Sequence, residues 1–581
     1  MLIAVQGCCH GSLSTIYASI AKFESQSEQH RRVRLLLLCG DFQALRSEHD
    51  YASLAVPPKY RALGTFHEYY SGKQVAPVLT LVIGGNHEAS NYMQELYHGG
   101  WLAPNIYYLG AAGSVMVDGL RIVGSSGIYK AHNYGKGHYE KVPYRDSQLR
   151  SVYHTRHYDI AKLMQLSPRP HTVFMSHDWP TEIPKHGNTA DLLRRKPFFT
   201  SEVNSNTLGS PPLLNVLRYL KPNHWFAAHL HVKFAAVYEH EAGASSTKEV
   251  LNSRPTLNPD EIDLDLDDGV QSPVDNPDEI TIDDGNDDVL SETNPATENP
   301  DEITIEDEDE SDLEDHMKEH VAHELAQGRT GGEINPDEIN IGDDEEFDAP
   351  VIPNGALSDP VLDALKVDES ADLVEAARSQ AGPNAAHGII GPVSASLPAP
   401  EKHGEPGPST VQARRTSESA TSSTSTKFLA LDKPGRGRDF IQFLDIPTPS
   451  SIAEDQYPRM TFDPHWLAIS RALHSHLSTE LRQPPLPRQD EMDRMIQLEL
   501  DKIEQDGLLV PRIKGQGEQD GPVELVWERG PIDIARVQQF WPTAPAHGEP
   551  GGSPTAWYTN PQTEAFCGML GIQNKINPAP P

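Results

Sequence analysis

This sequence predicts a layered α/β fold interrupted by a long segment outside it, and three observations lead there. Through the first 240 residues, short apolar runs alternate with amphipathic segments, and each main run ends in a polar cluster. Near residue 241 the chain turns acidic, Pro-rich and Ser-rich with almost no aromatics, and apolar patterning returns at Lys427. Strands that release polar clusters toward one edge are the pattern of a layered α/β domain, whereas a solvated acidic tract cannot bury enough apolar surface to fold.

The runs that read as strands are Leu2 to Val5, Arg34 to Leu38, Val78 to Ile83, Ser114 to Val117, Arg121 to Gly124, Thr172 to Met175, His224 to Ala228 and Phe234 to Tyr238. Beyond the acidic tract, Lys427 to Lys433 and Asp439 to Leu444 carry further strand signals. Asp463 and Pro464 then suit an N-cap and a first-turn proline, and Trp466, Ile469, Leu473 and Leu477 make the apolar face of the helix they start. A second helix is expected from Asp490 to Gln505, striped by Met492, Ile496, Leu500 and Ile503 and ended by Gly507.

Length and composition set the limits. The 581 residues leave room for more than one domain, while 37% hydrophobic content with 48 prolines and 43 glycines implies that part of the chain stays unfolded. Net charge is −36, but Glu241 to Asp348 hold 37 acidic against 4 basic residues, and residues 1–240 hold 24 basic against 17 acidic. A mildly basic folded domain suits a polyanionic ligand, and the acidic segment is a separate object. Within it Asn-Pro-Asp-Glu-Ile occurs at Asn258, Asn276, Asn299 and Asn335, too irregularly spaced for a solenoid. Four cysteines, two of them adjacent, give no disulfide framework, and neither a signal peptide nor an apolar run near 18 residues is evident. These features predict a soluble chain without membrane attachment in a reducing compartment.

Five short motifs place metal-ligand residue types at the ends of the expected strands: Cys8-Cys9-His10, Gly40-Asp41, Gly85-Asn86-His87-Glu88, Ser176-His177-Asp178 and His229-Leu230-His231. Two divalent ions about 3.5–4 Å apart need one carboxylate able to bridge them, and imidazole, amide oxygen and a terminal anion complete such a set. Asp41 is the bridging candidate. A thiolate at Cys8 favours softer ions over Mg²⁺ and makes the site sensitive to oxidation.

The motif order resembles the calcineurin-like metallophosphoesterase superfamily, with Cys8 where an aspartate is usual and Ala228 where the last motif usually has glycine. That resemblance implies a β-sandwich flanked by helices, with one metal on Cys8, His10, Asp41 and His231 and the other on Asp41, Asn86, His177 and His229. It also leaves His87 beside the metals as a catalytic proton donor, with Asp178 or Glu88 as candidates to orient a ligand histidine. The runs Gly7 to Tyr17, Gly40 to Arg46, Ile83 to Tyr92, Gly99 to Leu109, Ser176 to Pro180 and Trp225 to Phe234 are similar to the RNA lariat debranching enzyme family. Residues 127–157 interleave Tyr129, Tyr134, Tyr139 and Tyr144 with Lys130, Lys136, Lys141 and Arg145. Aromatic faces among cations are how branched or single-stranded RNA is held, and in the family this stretch corresponds to the lariat recognition loop.

The organisation expected from the residues and the resemblance is a catalytic domain over 1–240, a disordered acidic insert over 241–425, a smaller, mostly helical C-terminal domain over 426–545 and a flexible tail over 546–581. The implied function is hydrolysis of the 2',5'-phosphodiester of excised intron lariats by a metal-activated hydroxide, with His87 protonating the leaving oxygen. One or two Fe²⁺, Zn²⁺ or Mn²⁺ ions are the expected cofactors. Branched intron RNA is the expected partner, and the acidic insert suits basic proteins. Nuclear residence follows from where introns are excised, since the basic runs at Arg194 to Lys196 and Arg414-Arg415 are short; a monomer is expected. Two alternatives stand beside this: another metallophosphoesterase acting on linear nucleic acid or phosphoprotein, and an interaction scaffold built on the acidic repeats.

Overall fold

The computed structural model describes residues 1–27, 31–241, 423–449, 457–512 and 523–580. The acidic insert and its four repeats lie outside the described residues.

Fifteen strands form among the described residues, and thirteen of them make two sheets. They are β1 (Leu2–Gln6), β2 (Leu35–Leu38), β3 (Leu79–Val82), β4 (Gly100–Ala103), β5 (Ile106–Tyr108), β6 (Ala112–Val117), β7 (Leu120–Ser125), β8 (Thr172–Ser176), β9 (His224–Ala227) and β10 (Phe234–Glu239). After the insert come β11 (Ser425–Ala430), β12 (Ile441–Asp445), β13 (Met460–Phe462), β14 (Leu508–Pro511) and β15 (Leu525–Glu528). One sheet has the order β12-β1-β2-β3-β5-β4, the other β10-β11-β9-β8-β7-β6-β13, and β14 and β15 form a separate hairpin. In the first sheet β1, β2, β3 and β5 run parallel; in the second, β11, β9, β8 and β7 do.

The period-2 pattern explains the layering, because successive strand side chains point to opposite faces. Ile3, Val5, Leu35, Leu37, Leu79 and Leu81 join Val115, Ile122, Val173 and Phe226 of the second sheet in one buried core. Leu2, Ala4, Leu36, Leu38 and Val82 turn the other way and pack with Leu13, Ile16 and Ile20 of the helix Leu13–Gln26. The fold is thus the expected α/β sandwich, with helices on its outer faces. No described helix is long and apolar enough to cross a membrane.

The C-terminal region is built into the catalytic sheets among the described residues. β12 pairs antiparallel with β1, β11 is inserted between β10 and β9, and β13 pairs with β6, so residues after the insert complete both catalytic sheets. The helices Pro464–Leu473 and Gln489–Asp506 then pack on each other, with the predicted stripe residues Trp466, Ile469, Leu473, Met492, Ile496 and Ile503 buried. Pattern reading found β11 and β12 but not β13, and apolar patterning carries no information on which sheet a returning strand joins.

The stretch expected as a flexible tail is folded instead. Helix Pro561–Leu570 buries Phe566, Cys567, Met569 and Leu570, and Asn560 caps it by accepting the Gln562 N–H at 3.0 Å. The Gln562 side chain takes the place of a strand partner for Trp101, accepting its N–H at 2.7 Å and donating to its carbonyl at 2.9 Å. Upstream, fully buried Arg46 binds Asp50 at 2.9 Å, Glu95 at 2.7 Å and the Thr543 hydroxyl at 3.0 Å, which fastens the last segment to the first sheet's loops. The Gly and Pro density around residues 545–555 hid a helix whose cap, Asn560-Pro561, was readable.

The insert leaves the fold between paired neighbours. Glu239 lies opposite Ser425, and the His240 N–H donates to the Thr424 carbonyl at 2.8 Å, so β10 and β11 are the two arms of one hairpin. Loop closure depends only logarithmically on length, so a short turn can replace the insert. Joining residue 241 to residue 423 through a two- or three-residue Gly-Asn turn is expected to leave the melting temperature within a few degrees, by circular dichroism; a chain that no longer folds would refute this hairpin.

Candidate metal centre

Every motif named above leaves the C-terminal end of a parallel strand. Cys8 and His10 follow β1, Asp41 follows β2, Asn86 and His87 follow β3, His177 follows β8, and His229 and His231 follow β9. Parallel strands all end on the same edge, which is why crevices at those ends collect functional side chains. Here two sheets contribute, and their edges meet at Asp41.

Asp41 is 2% exposed and touches nearly everything around it. Its Oδ1 accepts the His87 backbone N–H at 2.9 Å and lies 3.3 Å from His177 Nε2. Its Oδ2 lies 3.5 Å from His10 Nε2 and 3.6 Å from His87 Nδ1. Burial alone would raise its pKa, but the facing His177, His87 and His10 with the His87 N–H outweigh burial and hold the carboxyl well below the usual range.

One group of donors is already drawn together. Cys8 Sγ, His10, Asp41 and His231 offer ligand atoms all within 4.8 Å of one another, and His10 Nε2 and His231 Nε2 stand 3.0 Å apart. A thiol, two imidazoles and a carboxylate make a donor set suited to a borderline divalent ion. Burial lowers His10 to about 4 and His229 to about 3, so both rings are neutral at physiological pH, the form that ligates. Cys8 is pushed well up, first by burial and then by Asp41, while the His229 N–H donates to its sulfur at 3.1 Å.

The second group forms around His177. Its Nδ1 faces the Cys39 carbonyl at 2.8 Å, and a carbonyl can only accept, so the proton sits on Nδ1 and Nε2 presents its lone pair. That Nε2 lies 3.1 Å from Asn86 Oδ1 and 3.3 Å from Asp41 Oδ1, with the His229 ring centroid 5.0 Å from its own. Asp41 therefore touches both groups, one oxygen toward each, as a bridging carboxylate must.

Backbone strain accompanies this convergence. His10, Asp41, His229 and His231 have φ between 45° and 68°, in the left-handed region that costs a non-glycine residue about 1–3 kcal/mol. Gly85 serves the same end by close approach: a Cβ there would lie 2.2 Å from Asp41 Oδ1 and 2.5 Å from Asp41 N.

His87 differs from the other histidines. Its Nδ1 is buried beside Asp41 while the side chain keeps 31% exposure, so the outer edge of the ring, with Nε2, is what a substrate meets. Glu88 and Asp178 do not orient histidine rings. Glu88 accepts the N–H groups of Phe42, Gln43 and Gly85 at 2.7–2.9 Å, and burial followed by Asp41 pushes it up to about 8. Asp178, pushed by burial up to about 6, accepts the Trp179 and Tyr129 N–H groups at 2.8 and 3.2 Å. The first carboxyl pins the two loops around Asp41; the second ties the start of segment 127–157 to the site.

That segment is anchored more firmly than its composition suggests. Arg156, fully buried, binds Glu140 and the carbonyls of Asn133 and Ser151, and the N–H groups of Gly137 and His138 donate to the Leu481 and Ser478 carbonyls of the C-terminal region. Several tyrosines are committed to this packing. The Tyr144 hydroxyl donates to Gln94 at 2.7 Å, Tyr139 meets the Ser151 hydroxyl at 3.2 Å, and Tyr134 lies between Tyr129 and His157. Lys141 and Arg145 are exposed, Lys130 and Lys136 half-buried. The charge of Lys130 acts on both His229 and Asp178.

Residues 1–233 match the model of the calcineurin-like phosphoesterase family. The catalytic unit is therefore a metallophosphoesterase domain, a class that uses divalent metals. Residues 423–575 match the model of the lariat debranching enzyme C-terminal domain, so family models match the chain on both sides of the insert. It is similar to the lariat debranching enzymes of Homo sapiens (57% identity over 242 residues, 42% of this chain and 44% of that protein) and Danio rerio (54% over 250 residues, 43% and 44%). The Arabidopsis thaliana enzyme is 52% identical over 248 residues, 43% of this chain and 59% of that protein. The chain thus spans about half the length of these relatives.

Two outcomes test the centre. Gly85→Ala is expected to displace Asp41 and remove most bound metal while the fold persists, measured by elemental analysis beside circular dichroism. A neutral Cys8 thiol must lose its proton to ligate, so Zn²⁺ uptake near pH 7 is expected to release about one proton per sulfur, and apparent affinity should rise with pH until the thiol's own pKa is passed. Calorimetry in buffers of different ionisation enthalpy reads the proton directly.

Proposed function

We propose that this chain hydrolyses the 2',5'-phosphodiester at the branch point of excised intron lariat RNA. The observation that carries the proposal is Cys8, whose sulfur stands within the converged donor group of His10, Asp41 and His231. A thiol in that position separates the debranching family from metallophosphoesterases that use a carboxylate there, and the relatives in Homo sapiens, Danio rerio and Arabidopsis thaliana are lariat debranching enzymes.

Cys8, His10, Asp41 and His231 hold one ion in this proposal, and Asp41, Asn86, His177 and His229 a second. Divalent ions so held supply Lewis-acid polarisation of the phosphoryl group and activation of water. The thiolate favours Zn²⁺ or Fe²⁺ over Mg²⁺, with Mn²⁺ acceptable to the imidazole and carboxylate donors.

The protein's own groups do the rest. Asp41 fixes the His87 backbone through its N–H at 2.9 Å, so the ring cannot drift from the reacting phosphate. The exposed edge of His87 delivers a proton to the departing 2'-oxygen, which leaves as a hydroxyl. Lys130 and the exposed Lys141 and Arg145 meet backbone phosphates along segment 127–157, with half-buried Lys136 at its side. Tyr129, half-buried and edge-on to Tyr134, is the better stacking candidate, because Tyr134 also meets His157 and the Tyr139 and Tyr144 hydroxyls are already bound.

Because every site residue belongs to one chain, we propose that it acts as a monomer, and in the nucleus where introns are released; light scattering and imaging of a tagged chain check the two. The acidic insert is proposed to engage basic proteins, which crosslinking against an insert-deleted chain tests.

Purified protein charged with Fe²⁺ or Zn²⁺ under anaerobic conditions is expected to cleave a 2',5'-branched RNA and spare linear 3',5'-linked RNA of the same composition. His87→Ala should lower kcat by on the order of 10²–10⁴ with metal content unchanged. Cleavage of linear RNA at a comparable rate would overturn the proposed specificity, and full activity of His87→Ala its assigned role.

A further inference from the structure

A second cationic surface, separate in sequence from segment 127–157, borders the metal centre. It begins with the loop between β11 and β12, Asp432 to Phe440. This loop is clamped at both ends against the turn that carries Cys8: the Gly7 N–H donates to the Phe440 carbonyl at 3.1 Å, and a Cβ on Gly7 would lie 2.3 Å from the Asp432 carbonyl oxygen. The Asp432 N–H also closes the loop on the Asp439 carbonyl at 3.1 Å. Between these clamps runs Lys433-Pro-Gly-Arg-Gly-Arg438, with Gly435, Arg436, Gly437 and Arg438 exposed.

A second segment, following the strand β9 ligands in space, joins it. Arg195, at the end of helix Thr189–Arg195, donates to the Lys233 carbonyl at 2.7 Å, two residues beyond His231. Lys196 then sits among Lys433, Arg438 and Arg195; burial and these cations lower it, partly opposed by Asp432. Next to it Phe198 is 62% exposed, propped edge-on by buried Phe199 at 4.4 Å, with Lys196 Nζ 5.8 Å from its ring centre.

The two sides of the centre are electrostatically distinct. Lys433 acts on His10 and His231, while Lys130 acts on His229. Cations from segment 127–157 and from residues distant in sequence from it thus act on different donors of the centre.

Beyond its edge contact with Phe199, Phe198 keeps most of its ring in water among clustered cations. Such a ring fits a stack of exposed bases whose phosphates pass over the cations. A branch nucleotide sends three chains away from one sugar, and a wall on one side of the metals can follow only some of them.

We propose that the Lys433 to Arg438 loop, with Lys196 and Phe198, forms a second RNA-binding wall that holds a single-stranded arm of the branched substrate on the His10 and His231 side of the metals. Phosphates of the arm follow the loop, and Phe198 stacks on one of its bases. The inference rests on the branched-RNA reading of the site.

The test compares wild type with Phe198→Ala and with the double variant Arg436→Ala, Arg438→Ala, none of which is a metal ligand. Two substrates are used: a minimal branched RNA with one nucleotide per arm, and one whose arms each carry about ten nucleotides. For the long-armed substrate KM is expected to rise about 10- to 100-fold in the double variant and about tenfold in Phe198→Ala, with kcat within twofold. The minimal substrate should be cleaved as by wild type. The double variant's salt dependence of log KM should flatten by about 1.4 units, because two phosphate contacts to a single strand are lost. Unchanged melting curves for both variants separate a lost contact from a lost fold.

A long-armed KM within twofold of wild type in both variants would overturn the wall. Equal losses on both substrates would also overturn it, since they would mean damage to the centre. If wild type itself leaves branched RNA intact, the debranching reading fails on its own. The wall is then judged by fluorescence anisotropy of a single-stranded 12-mer: a tenfold weaker affinity in the double variant supports it, and equal affinity overturns it.

Discussion

The contacts of Asp41 are the constraint on which the rest of the centre depends. A buried carboxylate surrounded by His10, His87 and His177 is costly unless those groups, or a cation, answer its charge. Answering it fixes three loops at once. The His87 N–H bond sets the loop after β3, the approach of His177 sets the loop after β8, and the 2.2 Å clearance at Gly85 admits no side chain between them. Glu88 reinforces the arrangement from behind by taking three backbone N–H groups from the same loops. Movement of any of these loops therefore shifts Asp41 relative to both donor groups.

The sheets are arranged to make this meeting possible. β1, β2 and β3 bring the first half of the donors and β8 and β9 the second, so the centre exists only while the two sheets stay packed face to face. The returning chain secures that packing. β12 covers the exposed edge of β1, the strand that carries Cys8, and β11 lies beside β9, which carries His229 and His231. The C-terminal region also holds segment 127–157 through Leu481 and Ser478. Its role is accordingly built into the site and is more than a flanking addition. The left-handed backbone at four ligands is tolerable for the same reason: strain of this kind persists where surrounding structure over-determines the conformation.

Much of this was legible in the residues because strands and ligands are local signals. Leu35 to Leu38 and Thr172 to Ser176 announce themselves by apolar composition, and Asp41 and His177 stand a few residues beyond each. What pattern cannot carry is partnership. Nothing in Ile441 to Asp445 says that its partner is Leu2 to Gln6, more than 400 residues earlier. Tyr144 and Tyr139 look like stacking faces in sequence, yet their hydroxyls are bound to Gln94 and Ser151. Conversely Phe198 passed unnoticed in a short basic run, because exposure of an aromatic is a property of the fold. The tail helix hides for a compositional reason: the Gly and Pro residues before it read as a flexible tail although its Asn560-Pro561 cap is a legible start.

Cys8 shows how the environment and the ligand type work on each other. Its sulfur is fully buried and beside Asp41, so without a cation burial and like charge both oppose ionisation, and the thiol remains neutral. A thiolate and a carboxylate within a few ångströms become compatible only when a divalent ion lies among them, which links the protonation state of Cys8 directly to metal binding. The same burial shields the sulfur from disulfide exchange, and Cys9 and Cys39, also buried, remain free thiols. Restricting sulfur to the His10 and His231 group leaves the His177 and Asn86 group with nitrogen and oxygen donors only. The two halves of the centre therefore differ in softness while sharing one carboxylate, so metal preference can be set separately on each side of Asp41.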